Sequence, residues 1–147
     1  MTELLAQLGL PGLFLSALLA ATILPFGSEA IFISLLLTKT PYLTVIIIAS
    51  IGNTLGSAIN YTIGRWLSDR AAKRWLRLDD AAIANAQRRF DRYGLIALCF
   101  AWVPIIGDPI TLLAGMLRVR FGVFLLLVAI GKTARYGILA YVTYSAM

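Results

Sequence analysis

The sequence predicts an all-α integral membrane protein of two inverted repeats, each a re-entrant helical hairpin followed by a transmembrane helix, joined by a basic amphipathic cytoplasmic segment. Hydrophobic residues make up 60% of the 147 residues, and the mean hydropathy of +0.85 is too high for a soluble domain. Two apolar segments contain no internal proline, whereas two others are interrupted by proline and glycine beside a carboxylate. Most of the basic residues lie between the two halves, and we treat residues 1–147 as a single membrane domain.

The first interrupted segment, residues 12–37, is long enough to cross a bilayer once. Pro25 and Gly27 break its helical pattern, and Glu29 lies near its centre. Proline removes a helical hydrogen bond, and irregular backbone at membrane depth is tolerated only where protein buries it or where it lines a cavity. We therefore predict a re-entrant hairpin that holds Glu29 at an internal site.

The next segment, residues 41–64, would rise about 36 Å as a helix and cross the membrane. Small and polar residues follow helical spacing along one face of it. They are Ala49, Gly52, Asn53, Gly56, Ser57, Asn60 and Gly64. This stripe indicates close helix packing, since small residues let helices approach each other in lipid. In a second interpretation, Asn53 and Asn60 also line a cavity beside the hairpin, together with Ser28.

The segment 65–93 is basic and amphipathic, and the positive-inside rule places it on the cytoplasmic side. We favour attraction to anionic lipid over a dedicated partner site. Asp79 is a candidate N-cap for a helix from Asp80 onward. The apolar face of that helix would contain Ile83, Ala86, Phe90 and Tyr93. Because the positive charge is concentrated in this loop, the net charge of +6 does not indicate nucleic acid as a partner.

The second half of the chain repeats the order of the first. Residues 95–117 are interrupted again, and we predict a second hairpin with Asp108 near its tip. The predicted breaks in this hairpin are Pro104 and Pro109, and Gly107 and Trp102 are candidate cavity-lining residues.

The last apolar segment, residues 121–145, is long enough to span the membrane. It carries Lys132 and Arg135 about one helical turn apart, and therefore on one face. If the basic loop is cytoplasmic, the first hairpin enters from the outer side and the second from the cytoplasmic side. Inverted repeats of this kind are typical of secondary transporters.

Glu29 and Asp108 on the hairpins and Lys132 and Arg135 on the facing helix predict a charge cluster inside the membrane. Buried charges are commonly paired, so mutual neutralisation that fixes the fold is one interpretation. In the functional interpretation, one carboxylate binds and releases a proton while Lys132 and Arg135 bind an anionic headgroup. Arg65 is a further headgroup candidate.

Several chemistries are disfavoured by what the sequence lacks. It contains no histidine and one cysteine, Cys99, so we expect no metal site, disulfide or cofactor. Gly131-Lys132-Thr133 lacks the upstream glycine and strand of a phosphate-binding loop. Two carboxylates could serve an intramembrane aspartyl protease, but Ile105 stands where the motif of those enzymes has glycine. We therefore do not expect an enzyme.

A set of short motifs spread over residues 12–141 is more specific than any one of them. They are Phe26-Gly27-Ser28-Glu29, Asn60-Tyr61 with Gly64-Arg65, Arg89-Phe90 through Tyr93-Gly94, Trp102-Val103-Pro104 through Gly107-Asp108-Pro109, Ala114-Gly115, and Gly131-Lys132 with Arg135-Tyr136. Together they resemble the DedA superfamily, also called the SNARE-associated or VTT-domain membrane proteins, and within it the short YqaA-like branch.

This resemblance implies a protein of the bacterial inner membrane with two opposed re-entrant hairpins. It also implies proton-dependent transport of undecaprenyl phosphate, so that membrane lipids and protons are the expected partners. Glu29 matches the acid that follows the proline of the first hairpin. Trp102 and Asp108 stand approximately where better-studied members place two arginines, and Lys132 and Arg135 could supply that missing charge.

Three functions remain open. The first, which we favour, is a flippase or proton-coupled transporter of an anionic lipid such as undecaprenyl phosphate. The second is a cation or small-solute carrier that uses Glu29 and Asp108, and the third is a non-transporting scaffold for membrane homeostasis. A homodimer that covers the hairpins is a further hypothesis. The N-terminal stretch has no basic n-region, so we do not expect a cleaved signal peptide.

Overall fold

The computed structural model describes residues 7–22, 27–38, 40–66, 74, 84, 88, 92–93, 96–103 and 107–147. These residues are mainly helical and contain no strand, which confirms the all-α prediction for the described part of the chain. Its helices are α1 (Leu10–Thr22), α2 (Ser28–Leu37), α3 (Tyr42–Trp66), α4 (Gly107–Met116) and α5 (Phe121–Ser145). Residues 96–99 are also helical.

The helices differ in whether they are long enough to cross a membrane. The helices α3 and α5 have 25 residues each, about 37 Å of rise, and both are long and apolar enough to cross a membrane. They correspond to the segments predicted to span. With 13 and 10 residues, α1 and α2 rise only about 20 and 15 Å, so neither crosses alone.

The two long helices run antiparallel. At one end, Tyr42 of α3 meets Tyr144 of α5 with ring centroids 6.1 Å apart. At the other end, Tyr61 of α3 meets Phe121 at 5.3 Å and Phe124 at 4.7 Å. The C-terminal end of α3 therefore lies beside the N-terminal end of α5.

The predicted small and polar stripe of α3 is buried along its whole length, as expected for a packing face. A Cβ atom placed on Gly56 would lie 2.6 Å from the Leu18 carbonyl oxygen and 2.6 Å from the Ala21 Cβ. On Gly52 it would lie 2.6 Å from the Phe14 carbonyl oxygen. The absence of side chains at these two glycines thus allows α1 to lie directly on the α3 backbone.

A second close contact joins α3 to α4. Gly64 lies against the Leu112 carbonyl, and Gly115 lies against the Tyr61 carbonyl. One glycine from each helix therefore accepts the backbone of the other, and no side chain fits between them.

The end of α1 and the middle of α4 meet α3 in its C-terminal half. Asn60 of α3 contacts Ala21 at the end of α1 and Thr111 in the middle of α4. Gly64, one turn further toward the C-terminal end of α3, contacts Leu112 and Met116 of α4. The entry of the hairpins into the membrane and their inverted orientation stay predictions.

Two predicted details concern proline and the basic loop. Pro109 is the third residue of α4, in the first turn, where the missing N–H would have no helical partner, so the helix continues through it. The predicted breaks Pro25 and Pro104 lie outside the described residues. So do Asp79, Asp80 and three residues of the predicted amphipathic face, Ile83, Ala86 and Phe90.

Candidate functional site

Lys132 lies near the middle of α5 and is only 3% exposed. Its ammonium group donates hydrogen bonds to Asn53 of α3, to the side-chain Oδ1 and to the backbone oxygen at 3.4 Å. A cation at this depth is costly, and carbonyl oxygens replace part of the hydration that it loses. Asp108, at the start of α4, is close enough for its charge to interact with that of Lys132.

Tyr136 connects Asn53 to the first hairpin. Its hydroxyl accepts a hydrogen bond from Asn53 Nδ2 at 3.1 Å and shares another with Ser28 Oγ at 3.1 Å. Tyr136 is fully buried and Ser28 is 1% exposed. A continuous chain of polar contacts thus runs from Lys132 through Asn53 and Tyr136 to Ser28, across helices α5, α3 and α2.

Glu29 and Arg135 are the sequence neighbours of Ser28 and Tyr136, and they form an ion pair between α2 and α5. Their side chains are 28% and 19% exposed, so this pair is more accessible than Lys132. The Arg135 guanidinium also lies 6.0 Å from the ring centroid of Tyr136. The charges that the sequence predicts to meet therefore lie in two adjacent layers, one buried and one partly open.

A third group of contacts links α1 to α4. Asn60 Nδ2 donates to the Ala21 carbonyl oxygen at 2.6 Å and to Thr111 Oγ1 at 3.4 Å. Thr111 in turn donates to the Asp108 carbonyl oxygen at 2.7 Å. Asn60 therefore positions the end of α1 and the Asp108 turn of α4 on the same face of α3.

Two predicted site residues are used differently. Arg65 is exposed at the end of α3 and donates to the Tyr61 hydroxyl at 3.5 Å. It lies about 18 Å along the helix from Asn53, so it is not brought together with Lys132 and Arg135. Gly107 is buried against the Ala101 backbone carbonyl at the start of α4, and its role as a cavity-lining residue stays a prediction.

The model of the VTT domain family matches residues 10–145, which contain every residue of this site. The chain belongs to the VTT-domain, or DedA, family. The resemblance predicted from the motifs is thereby confirmed.

Three relatives of this VTT-domain chain show how far the similarity extends. An uncharacterized protein of Haemophilus influenzae is 39% identical over 132 residues, covering 84% of this chain and 80% of the relative. Inner membrane protein YqaA of Escherichia coli is 34% identical over 141 residues, covering 95% and 94%. Undecaprenyl phosphate transporter A of Staphylococcus aureus is 29% identical over 144 residues, covering 90% and 71%. No solved structure matches the chain significantly.

Sequence reasoning about this VTT-domain protein missed two residues of the site, Tyr136 and Thr111. A signal for Tyr136 was present, because tyrosine in a spanning helix usually lies at the membrane interface, whereas Tyr136 is far from both ends of α5. Thr111 had no such signal. Its role depends on Asn60, which reaches it from a distant part of the sequence.

The described part of this VTT-domain chain also contains two apolar grooves beside α5. One, of about 340 Å³, separates residues 99–102 from the middle of α5, and Arg135 and Trp102 line it. The other, of about 420 Å³, lies between the N-terminal end of α3 and the C-terminal end of α5. Of the predicted cavity-lining residues, Trp102 thus lines a groove, while Ser28, Asn53 and Asn60 are buried in hydrogen bonds.

Proposed function

We propose that this VTT-domain protein transports an anionic lipid across the bacterial inner membrane, with a polyprenyl phosphate as the expected substrate. The observation that carries the proposal is the pair of cations near the middle of a candidate spanning helix, Lys132 and Arg135, each facing a carboxylate region of a different hairpin. The names of two relatives, inner membrane protein YqaA and undecaprenyl phosphate transporter A, support the location and the substrate class.

The two cations suit a phosphate headgroup in different ways. The planar guanidinium of Arg135 can donate two parallel hydrogen bonds to phosphate oxygens, and its partial exposure leaves it accessible. Lys132, three residues earlier on the same helix, is buried and supplies a second positive charge. Such charges lower the cost of bringing a phosphate to a depth where water is scarce.

We further propose that Glu29 couples transport to protons by competing with the phosphate for Arg135. While Glu29 is ionised, it holds the guanidinium. Protonation removes the carboxylate charge and allows the lipid phosphate to bind Arg135, and loss of the proton restores the ion pair and displaces the lipid. Lys132 and Asp108 are the other titratable groups of this cluster, and each acts on the other through its charge.

The alternative of a cation carrier has less support from this geometry. Glu29 is already paired with Arg135, and the charge of Asp108 interacts with Lys132. A transported cation would have to displace a cation of the protein itself. Among the described residues, moreover, no three histidine, cysteine, aspartate or glutamate side chains lie together as a metal-binding group.

The test is translocation of labelled polyprenyl phosphate between the leaflets of proteoliposomes, with and without a pH gradient. We expect gradient-dependent translocation by the wild type, and whichever of Glu29→Gln and Asp108→Asn removes the dependence on the gradient identifies the acid that carries the proton. Folded protein that translocates no lipid would favour the carrier or the scaffold, and only the carrier would show solute flux.

Association into a homodimer is a separate proposal, and crosslinking in native membranes that yields only monomer would contradict it.

A further inference from the structure

The groove beside the Glu29–Arg135 pair combines an apolar surface with one cation. Its volume is about 340 Å³, which is within the range of ligand pockets in proteins. Cys99 and Trp102 of the second hairpin line one side, and Ile130, Gly131 and Ala134 of α5 line the other. Among the described lining residues, Arg135 is the one that carries a charge.

The groove is open toward the region that lipid would occupy. Ile130 and Ile138 on its α5 side are 58% and 64% exposed, and Trp102 is 41% exposed. In a spanning helix such side chains face hydrocarbon. A lipid molecule could therefore enter from the bilayer without passing through water.

We infer that this groove holds part of the hydrocarbon chain of the transported anionic lipid while its phosphate binds Arg135. An apolar channel that ends at a guanidinium complements an amphiphile with an anionic head, whereas a free phosphate would leave the channel empty. The inference rests on the proposed function for the identity of the lipid. It adds the site that distinguishes a lipid phosphate from a soluble one.

The groove orients the hydrocarbon chain of the lipid, and it adds little to the affinity of the protein for that lipid. Lipid tails are as apolar as the groove, so a hydrocarbon chain gains no hydrophobic free energy by moving into it. The electrostatic attraction of Arg135 supplies the affinity, and the groove aligns the chain so that the phosphate reaches the guanidinium. A hydrocarbon chain should therefore occupy the groove only when it carries a phosphate.

The second groove provides a matched control. It is also apolar, at about 420 Å³, but its described lining residues, among them Tyr42, Ile46 and Gly137, include no charge. Each groove has one glycine of α5 in its wall. A Cβ atom on Gly131 would lie 3.5 Å from Trp102, an ordinary contact, and one on Gly137 would meet nothing within 4 Å. Leucine at either position should fill one groove and leave the helix intact.

Cys99, the single cysteine of the chain, lines the first groove and can report its occupancy. The rate of Cys99 alkylation by N-ethylmaleimide is measured in proteoliposomes with long-chain polyprenyl phosphate, geranyl phosphate, long-chain polyprenol or inorganic phosphate. We expect long-chain polyprenyl phosphate and geranyl phosphate to slow alkylation several-fold, and long-chain polyprenol and inorganic phosphate to have little effect. This protection should persist in Gly137→Leu and disappear in Gly131→Leu, relative to each variant without lipid.

The outcomes separate this inference from the proposed function. Unchanged alkylation in the presence of long-chain polyprenyl phosphate, with wild-type transport intact, would overturn the groove assignment alone. Equal protection by long-chain polyprenol would overturn the link between the groove and the headgroup. Protection of Cys99 without transport would support the groove and contradict the proposed transport.

Discussion

The carboxylate of Glu29 forms an ion pair with the guanidinium of Arg135, so opposite charges attach the start of α2 to the middle of α5. Both side chains are partly exposed, and a hydrogen-bonded layer of Ser28 and Tyr136 lies directly beside them. Arg135 can therefore exchange Glu29 for another anion without disruption of the buried core.

Glu29→Gln imitates the protonated acid, and we expect it to uncouple transport from protons. The neutral amide cannot hold Arg135 by charge, so the guanidinium stays available to phosphate at every pH. Translocation of labelled polyprenyl phosphate should lose its dependence on the pH gradient, while the binding of the lipid to the protein persists. Gradient-dependent transport by this variant would contradict the exchange.

Lys132→Met, alone or with Arg135→Met, should reduce lipid translocation to background. It also leaves Asn53 Oδ1 without its donor, at a cost of roughly 1–3 kcal/mol, and Asp108 without its neighbouring cation, so the melting temperature should fall. Arg120→Met, an exposed site before α5, is the matched control and should transport normally. Transport by folded Lys132→Met at the wild-type rate would show that this cation serves only the fold.

Gly56→Ala should destabilise the protein, because the new methyl group would lie 2.6 Å from both Leu18 O and Ala21 Cβ. Overpacking of this kind costs about 1–3 kcal/mol, which corresponds to a loss of several degrees in the melting temperature in detergent. Gly122→Ala, where a Cβ atom meets nothing within 4 Å, should be neutral or slightly stabilising. Equal melting temperatures for the two variants would argue against the close contact of α1 with α3.

Asn60→Leu should loosen both hairpins at once. It removes the donor to Ala21 and Thr111, and the unpaired carbonyl oxygen alone costs about 1–3 kcal/mol. Ser50→Ala is the matched control on the same helix, since the buried Ser50 Oγ has no hydrogen-bond partner among the described residues. We expect Ser50→Ala to keep or raise the melting temperature. A neutral Asn60→Leu would remove Asn60 as the link between the hairpins.

The predicted orientation can be tested with single cysteines in a Cys99→Ala background. The antiparallel arrangement of α3 and α5 requires Thr40 and Ser145 to lie on one side of the membrane and Trp66 and Arg120 on the other. The positive-inside rule assigns Trp66 and Arg120 to the cytoplasmic side. Labelling of intact cells with an impermeant maleimide should therefore modify cysteine at Thr40 or Ser145 and spare it at Trp66 or Arg120. Labelling of the opposite pair would invert the topology.

The helices and the buried face of α3 could be predicted because each depends on local pattern. The spacing of Gly52, Asn53, Gly56 and Asn60 already defines one face of a helix, whatever packs on it. The pairing of individual charges could not be predicted, because it depends on how the helices are offset along their axes. That offset places Lys132 against Asn53 and Arg135 against Glu29, although both cations lie on one face of α5.

The position of Arg65 could not be predicted either. By composition it belongs with the cations of α5, but the antiparallel arrangement of α3 and α5 places it beside Tyr61 and the start of α5. Tyr136 was missed because a hydroxyl acquires its role only when Ser28 and Asn53 approach from two other helices.

The glycine contacts of α3 distinguish helices held by backbone contact from helices held by side-chain contact. Where Gly52, Gly56 and Gly64 allow backbone to meet backbone, α1 and α4 cannot slide along α3 without collision, so we expect these three helices to move as one rigid body. Near its middle, α5 meets α3 through the side chains of Asn53, Lys132 and Tyr136, which can change partners. We expect a hinge movement that opens the site to one leaflet or the other to shift α5 and α2 against this rigid body, with the core of the first hairpin divided between the two moving parts.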